Sequence, residues 1–222
     1  MTAARWRPCG DAAALAEVPD LAAAQRLLAA VEAARERGEL PGVLDIVPAA
    51  RTLLLRCTDA AALEHAAAHV AALPLDDPAA GATTPGVPPG GEPVRIPVVY
   101  DGEDLAEVAR LLDVDAAEVV RRHTGTRWQV AFTGFAPGFG YLVAASGEAG
   151  PGSLAVPRRR EPRTRVPAGA VGLAAEFTGV YPRASPGGWQ LVGRTGTPVW
   201  RPDAEPPALL APGVLVRFEE AR

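Results

Sequence analysis

Residues 74–93 read P-L-D-D-P-A-A-G-A-T-T-P-G-V-P-P-G-G-E-P, and no apolar period of helix or strand type runs through them. Proline fixes φ and removes a backbone donor, while glycine adds freedom that a regular element would have to freeze. A run of this kind joins folded parts and does not form one. It divides the 222 residues into a front domain over 1–76, a linker over 77–93 and a back domain over 94–222.

The front part carries alternating strand and helix signals. Residues 12–18 suit a short strand. Asp20 is a good N-cap, and Leu21, Ala24, Leu28 and Val31 follow at helical spacing until Gly38 stops the helix. Residues 43–47 and 51–57 are rich in strand formers, and Pro48-Ala49-Ala50 joins them as a hairpin. A second helix begins near Thr58 or Asp59, turns Leu63, Val70 and Leu73 inward, and ends at Pro74. This succession predicts a small α+β sandwich.

The back part begins with a strand over 94–100. Residues 104–112 form an amphipathic helix through Leu105, Val108, Leu111 and Leu112. Asp115 opens another, with Glu118 in capping-box register, and His123-Thr124-Gly125 closes it. Residues 127–133 alternate, with Trp128, Val130 and Phe132 on one face and Arg127, Gln129 and Ala131 on the other. Beyond them only short strands stand between turns, over 171–175, 189–192, 198–200 and 214–218. Many short strands with glycine and proline punctuation predict a closed β-barrel.

Charge and cysteine usage exclude several functions. The net charge of −4 offers no footprint for nucleic acid, and every basic residue is arginine. Arginine placement therefore says more than arginine number. Cys9 and Cys57 have no metal spacing and are expected as reduced thiols. The N-terminus lacks the apolar core of a signal peptide, and no apolar run reaches the roughly eighteen residues of a membrane span. A cytoplasmic protein is the expectation.

Three stretches can carry chemistry. Residues 132–142, F-T-G-F-A-P-G-F-G-Y-L, leave a strand and place four aromatics among three glycines. Aromatic faces beside free backbone N–H groups hold small polar ligands, although a rigid packed loop has the same composition. The loop matches neither a Walker nor a dinucleotide pattern. Residues 158–165 hold five arginines around Glu161. Arginine forks suit carboxylates and phosphates. Arg158 to Arg160 read as a solvated basic face, whereas Arg163 and Arg165, next to a strand start, are placed to point at a partner. Residues 178–195, T-G-V-Y-P-R-A-S-P-G-G-W-Q-L-V-G-R-T, combine four glycines, two prolines, a tyrosine and a tryptophan. Ser185-Pro186-Gly187-Gly188 reads as a turn feeding the strand that starts at Trp189. Of the histidines, His123 suits either a general base or a helix end. His65 and His69 stand four apart on the solvent face of the second helix with no third ligand, so no metal site is expected.

The order F-x-G-F-x-P-G-F-x-Y-L, P-R-x-x-V-P-A-G-x-V-G and T-G-x-Y-P-x-x-S-P-G-G-W-Q-L-x-G-R-T resembles the KipI / allophanate hydrolase subunit 1 family. Its best-understood members are B subunits of the ATP-dependent 5-oxoprolinase. The resemblance implies a ferredoxin-like α+β N-terminal domain followed by an all-β, cyclophilin-like barrel from about Val94. It also implies a KipA-like C subunit and an amidohydrolase-like A subunit as partners. Together these would open the 5-oxoproline lactam to L-glutamate at the expense of ATP, with Mg accompanying the nucleotide at the level of the complex. The chain would then be an enzyme subunit that does not turn over substrate alone.

Carried onto this sequence, Phe135, Pro137, Gly138, Phe139 and Tyr141 would line a substrate cleft. Arg163 and Arg165 would precede the next strand. Ser185, Gly187, Gly188, Trp189 and Gln190 would form the facing wall, and Arg194 would close it. His123 falls where the family commonly has a His-Thr pair, which makes it the candidate catalytic residue. Where relatives often carry Gly and Gln, this chain has Ala175 and Phe177. The same resemblance admits two other functions: a KipI-like inhibitor of a sensor histidine kinase, and a carboxyltransferase subunit of the urea carboxylase type.

Overall fold

A computed structural model of the chain describes residues 5–73, 92–145 and 152–221. Nearly all of the expected linker over 77–93 lies outside the described residues. The chain divides into two compact units, Met1–Pro89 and Gly90–Arg222.

The first unit opens with β1 (Arg5–Pro8) and β2 (Ala13–Glu17). Then come α1 (Leu21–Glu36), β3 (Val43–Pro48), β4 (Thr52–Cys57) and α2 (Ala60–Ala71). Both helices start where the sequence places their caps: Asp20 and Asp59 accept the N–H groups of Ala23 and Ala62, each at 2.8 Å. Gly38, at φ 75°, stops α1. The sheet runs β1-β2-β4-β3 and is antiparallel throughout. Leu27 and Val31 of α1 and Ala66 of α2 pack fully buried with Ala16, Leu53 and Leu55 of the sheet. An α+β sandwich is therefore present, but it departs from the ferredoxin-like order. That order ends on a strand after the second helix, which takes the sheet edge beside the first strand. Among the described residues, β1 occupies that edge next to β2. A tight hairpin closes a short loop, so this pairing costs little entropy.

The second unit contains β5 (Val94–Val98), α3 (Leu105–Leu111), α4 (Ala116–Gly125), β6 (Trp128–Thr133), β7 (Gly140–Ala144) and β8 (Arg163–Val166). It continues with β9 (Ala170–Ala174), β10 (Phe177–Val180), β11 (Ser185–Gly187), β12 (Gln190–Arg194) and β13 (Leu215–Glu220). Seven strands form one sheet in the order β12-β9-β10-β7-β6-β13-β5, in which β13 and β5 run parallel. Just past β5, Val99 exchanges two backbone hydrogen bonds of 2.9 Å with Arg194, which brings the last strand back to the first. The result is a nearly closed mixed barrel. Glycine is needed at this seam: a Cβ at Gly193 would stand 2.5 Å from the Val99 carbonyl oxygen, and one at Gly102 2.3 Å from that of Leu191.

Several local expectations change. The alternation of β6 breaks at Ala131, where the register against β7 shifts. Val130, Ala131 and Phe132 are in consequence all buried, because a bulge adds a residue that the pleat does not count. Residues 132–142 are not one loop, since β7 starts at Gly140. Residues 185–187 are not a free turn; they form β11, a two-stranded ribbon with β8. Residues 198–200 form no strand, and Trp200 makes an isolated bridge to Ala208. The capping box is half made: Asp115 accepts the Glu118 N–H at 2.7 Å, while the Glu118 carboxylate turns to Arg121 and Arg122. No helix among the described residues is long and apolar enough to cross a membrane.

Candidate functional site

The first and third motifs meet. β9 and β10 pair with Gly172 opposite Gly179, and the missing side chains let bulky rings lie close to the strands. A Cβ on Gly179 would come within 3.2 Å of the Trp189 ring and 3.3 Å of the Phe139 ring. Phe139 is the hub, meeting Phe135, Tyr141, Tyr181 and Trp189 edge to face at centroid distances of 5.1–5.4 Å. Tyr141 also contacts Trp189 and stacks on Phe132. Each such pair adds about 0.5–1.5 kcal/mol beyond its buried area, so the shelf is stiff.

Phe135 is the exception to good packing. It is 58% exposed and sits at φ 66°, a region costly for a bulky side chain. The Ala136 N–H reaches back to the Gly134 carbonyl at 2.7 Å, which makes Phe135 the centre of a γ-turn with positive φ. Phe139 N–H donates to Ala136, and Gly134 N–H to Phe139. Three N–H groups expected to be free for a ligand are thus spent inside the loop. An exposed ring held in a strained turn is a common mark of a binding position.

Two phenols belong to the shelf and differ in exposure: Tyr141 is half-buried, whereas Tyr181 is fully buried. Burial raises the Tyr141 and Tyr181 hydroxyls above their ordinary value of 10, and the Arg158 charge opposes the rise at both. Both phenols stay protonated at neutral pH, and the half-buried Tyr141 can donate to a carbonyl or carboxylate oxygen. Arg158 is exposed, in keeping with a solvated basic face; Tyr181, whose only signal is a tyrosine standing inside the third motif, is the shelf residue that sequence reasoning misses.

Arg163 is spent inside the protein. Its side chain does point at a partner, but that partner is internal: Nη2 donates to Asp104 Oδ1 at 2.9 Å and to Glu103 at 3.0 Å. Arg159 donates to Asp104 Oδ1 at 2.5 Å, and Asp104 Oδ2 accepts the Leu191 N–H at 2.7 Å. Asp104, 3% exposed, ties the start of α3 to β12 and to residues 159–163. Burial works to raise its carboxyl, but the Arg163 and Leu191 hydrogen bonds outweigh that and hold it below the usual range. No sequence signal beyond a helix start marks it.

The remaining expected residues scatter. Arg165 is exposed on β8, Ser185 and Gly187 belong to β11 of the ribbon, and Gly188 follows it. A Cβ at Gly187 would lie 2.4 Å from the Tyr181 hydroxyl, so this glycine makes room for that phenol. Pro137 is exposed and Gly138 buried at φ 81° against Trp200. Arg194 sits at the barrel seam, with Nε 2.9 Å from Asp101.

His123 lies in the barrel core, fully buried, stacked on Phe218 at 4.3 Å. Thr178 Oγ1 donates to the Gly172 carbonyl, so it accepts from His123 Nε2 at 2.8 Å; Nδ1 then accepts from the Tyr100 hydroxyl at 2.7 Å. Burial lowers its pKa to about 3. It is neither a helix cap nor a group in reach of solvent. In the first unit, His65 and His69 both lean on Glu39, and among the described residues no group of three His, Cys, Asp or Glu is placed to share a metal. Cys9 and Cys57 are free thiols.

A family model described as the carboxyltransferase domain, subdomain C and D, matches residues 4–210. The chain belongs to this family. It is 45% identical over 128 residues to the 5-oxoprolinase B subunit of Bacillus subtilis (strain 168), a match covering 56% of this chain and 51% of that protein. The chain therefore spans about half the length of that curated relative. The crystal structure of TTHA0988 is 35% identical with a TM-score of 0.69, covering 98% of this chain and 40% of that one. The Kluyveromyces lactis urea carboxylase is similar in fold, at 19% identity and a TM-score of 0.70, over 98% of this chain and 22% of that one. The carboxyltransferase-domain barrel thus recurs within longer chains.

Proposed function

We propose that this chain is the B-type subunit of an ATP-dependent 5-oxoprolinase, acting with a KipA-like C subunit and an amidohydrolase-like A subunit. The observation that carries the reading is the exposed Phe135 ring, held in a strained turn against the Phe139 hub that also carries the half-buried Tyr141. A ring face of this kind suits a small flat lactam, and a protonated phenol suits an oxygen that gains charge as the amide opens. Identity to curated 5-oxoprolinase B subunits supports the same reading.

The glycine-rich loop over 134–139 is no ready phosphate cradle, because the N–H groups of Gly134, Ala136 and Phe139 are spent inside it. We assign ATP and its Mg to a partner in the complex, and the binding of the amide to this chain.

ATP-dependent glutamate release from 5-oxoproline, with the chain mixed with C-type and A-type subunits and each omitted in turn, tests the proposal. Activity that requires all three supports it. A stable complex without activity would turn the reading to carboxyl transfer, and absence of any complex would bring the kinase-inhibitor reading forward.

A further inference from the structure

In a chain of net charge −4, one stretch of surface has the opposite balance. Residues 157–165 and 183–188 hold six arginines against Glu161 alone, whereas the other sixteen arginines stand against twenty-five acidic residues. The fold joins these two segments. Val166 of β8 lies opposite Ser185 of β11, and Arg163 opposite Gly187. The loop before β8 is tied to the same ribbon, since the Arg159 N–H donates to the Gly188 carbonyl at 2.8 Å.

The six cations divide by what they touch. Arg159 and Arg163 are spent on Asp104, and the charge of Arg158 acts on the Tyr141 and Tyr181 phenols. Arg160, Arg165 and Arg183 are exposed and have no ion-pair partner among the described residues. Arg160 stands at the Gly188 end of the ribbon. Arg165 precedes the residue that pairs with Ser185, and Arg183 lies two residues before Ser185. Gly188 and Arg183 are five residues apart, so the row is at most about 17 Å long, the reach of five or six extended residues.

The ribbon also has an open edge. Among the described residues, β8 and β11 pair only with each other. Pro186 has no N–H, which blunts the β11 edge. β8 contains no proline, and its Thr164 and Arg165 are exposed. Its outer backbone groups can therefore take one more strand. Three unpaired guanidinium groups along such an edge call for carboxylates at the spacing of an extended chain.

We infer that this ribbon is a docking surface for an extended acidic segment of a partner protein, added along β8 with its carboxylates on Arg160, Arg165 and Arg183. The inference goes beyond the proposed function and does not rest on it.

The experiment is fluorescence anisotropy of a labelled peptide of alternating glutamate and threonine, titrated with the full chain at low and high salt. The expected result is binding that weakens as salt rises and is lost when lysine replaces glutamate. N-methylation of alternate peptide bonds keeps the charge but removes strand hydrogen bonds, and should weaken binding roughly tenfold. Arg160→Ala, Arg165→Ala and Arg183→Ala should each weaken it roughly threefold, and the triple variant roughly tenfold or more, at an unchanged melting temperature. No change in anisotropy up to about 0.5 mM protein overturns the inference, as does equal affinity for the N-methylated peptide. Single-stranded DNA of equal charge competing as well as the peptide would make this a general polyanion surface, which overturns it too. Self-association of the chain that the triple variant abolishes would make the occupant a second copy, with the same consequence. None of these readings needs another subunit, so the activity of the complex decides the proposed function separately.

Discussion

At the scale of single residues, the left-handed positions separate strain kept for a site from strain kept for nothing. Ala175 is exposed at the β9–β10 turn with φ 49°. Ala175→Gly is expected to stabilise the fold by about 1 kcal/mol, read as a higher denaturation midpoint, because glycine holds that φ without strain and no buried contact is lost. Phe135→Gly should also relax its turn yet lower the activity of the complex; Phe135→Ala should lower activity without the gain in stability. His123 supplies the pH term. Its folded pKa, about 3, lies below the ordinary 6.5, so the unfolded chain takes up the proton first. Stability from this residue is complete above the unfolded value and falls as pH drops between the two, by about 1.4 kcal/mol per unit. Urea midpoints at pH 7 and pH 5 should show the loss. In His123→Ala they should show a lower but flatter profile, with about 3 kcal/mol missing at pH 7.

Among elements, Asp104 joins the start of α3 to β12 and to residues 159–163. Asp104→Asn keeps the shape but leaves Arg163, with a side chain 15% exposed, facing a neutral amide. Removing one member of a buried ion pair costs roughly 3–5 kcal/mol, so the variant should unfold at markedly lower urea. The exposed pairs, such as Arg110 with Glu107, should cost under about 1 kcal/mol on substitution. Helix starts at Asp20, Asp59 and Asp115 were legible because a cap acts through residues two or three positions away. β1, β8 and β11 were not, since each is a few residues long and exists through its partner strand. The bulge at Ala131 escaped for a related reason: register belongs to two strands, and one strand's alternation cannot report it.

For the whole molecule, the two cores share no residue: one gathers Leu27, Leu53 and Val70, the other Ile96, Leu142 and Phe218. A fragment starting at Gly90 is therefore expected to fold alone with one cooperative transition, checked by thermal melting followed at two wavelengths. The sequence by itself determined the α+β character of the front unit and the barrel character of the back one; the resemblance put Phe139 and Trp189 on facing walls, whereas their rings pack edge to face. These rest on composition, local periodicity and motifs read in order, all properties of neighbours along the chain. Only the tertiary structure decided that Arg163 is spent on Asp104, that His123 is enclosed, and that Gln190 Oε1 meets no donor among the described residues. Each of those outcomes depends on which group far along the chain arrives opposite a side chain, and closure of the barrel between Val99 and Arg194 sets that arrangement.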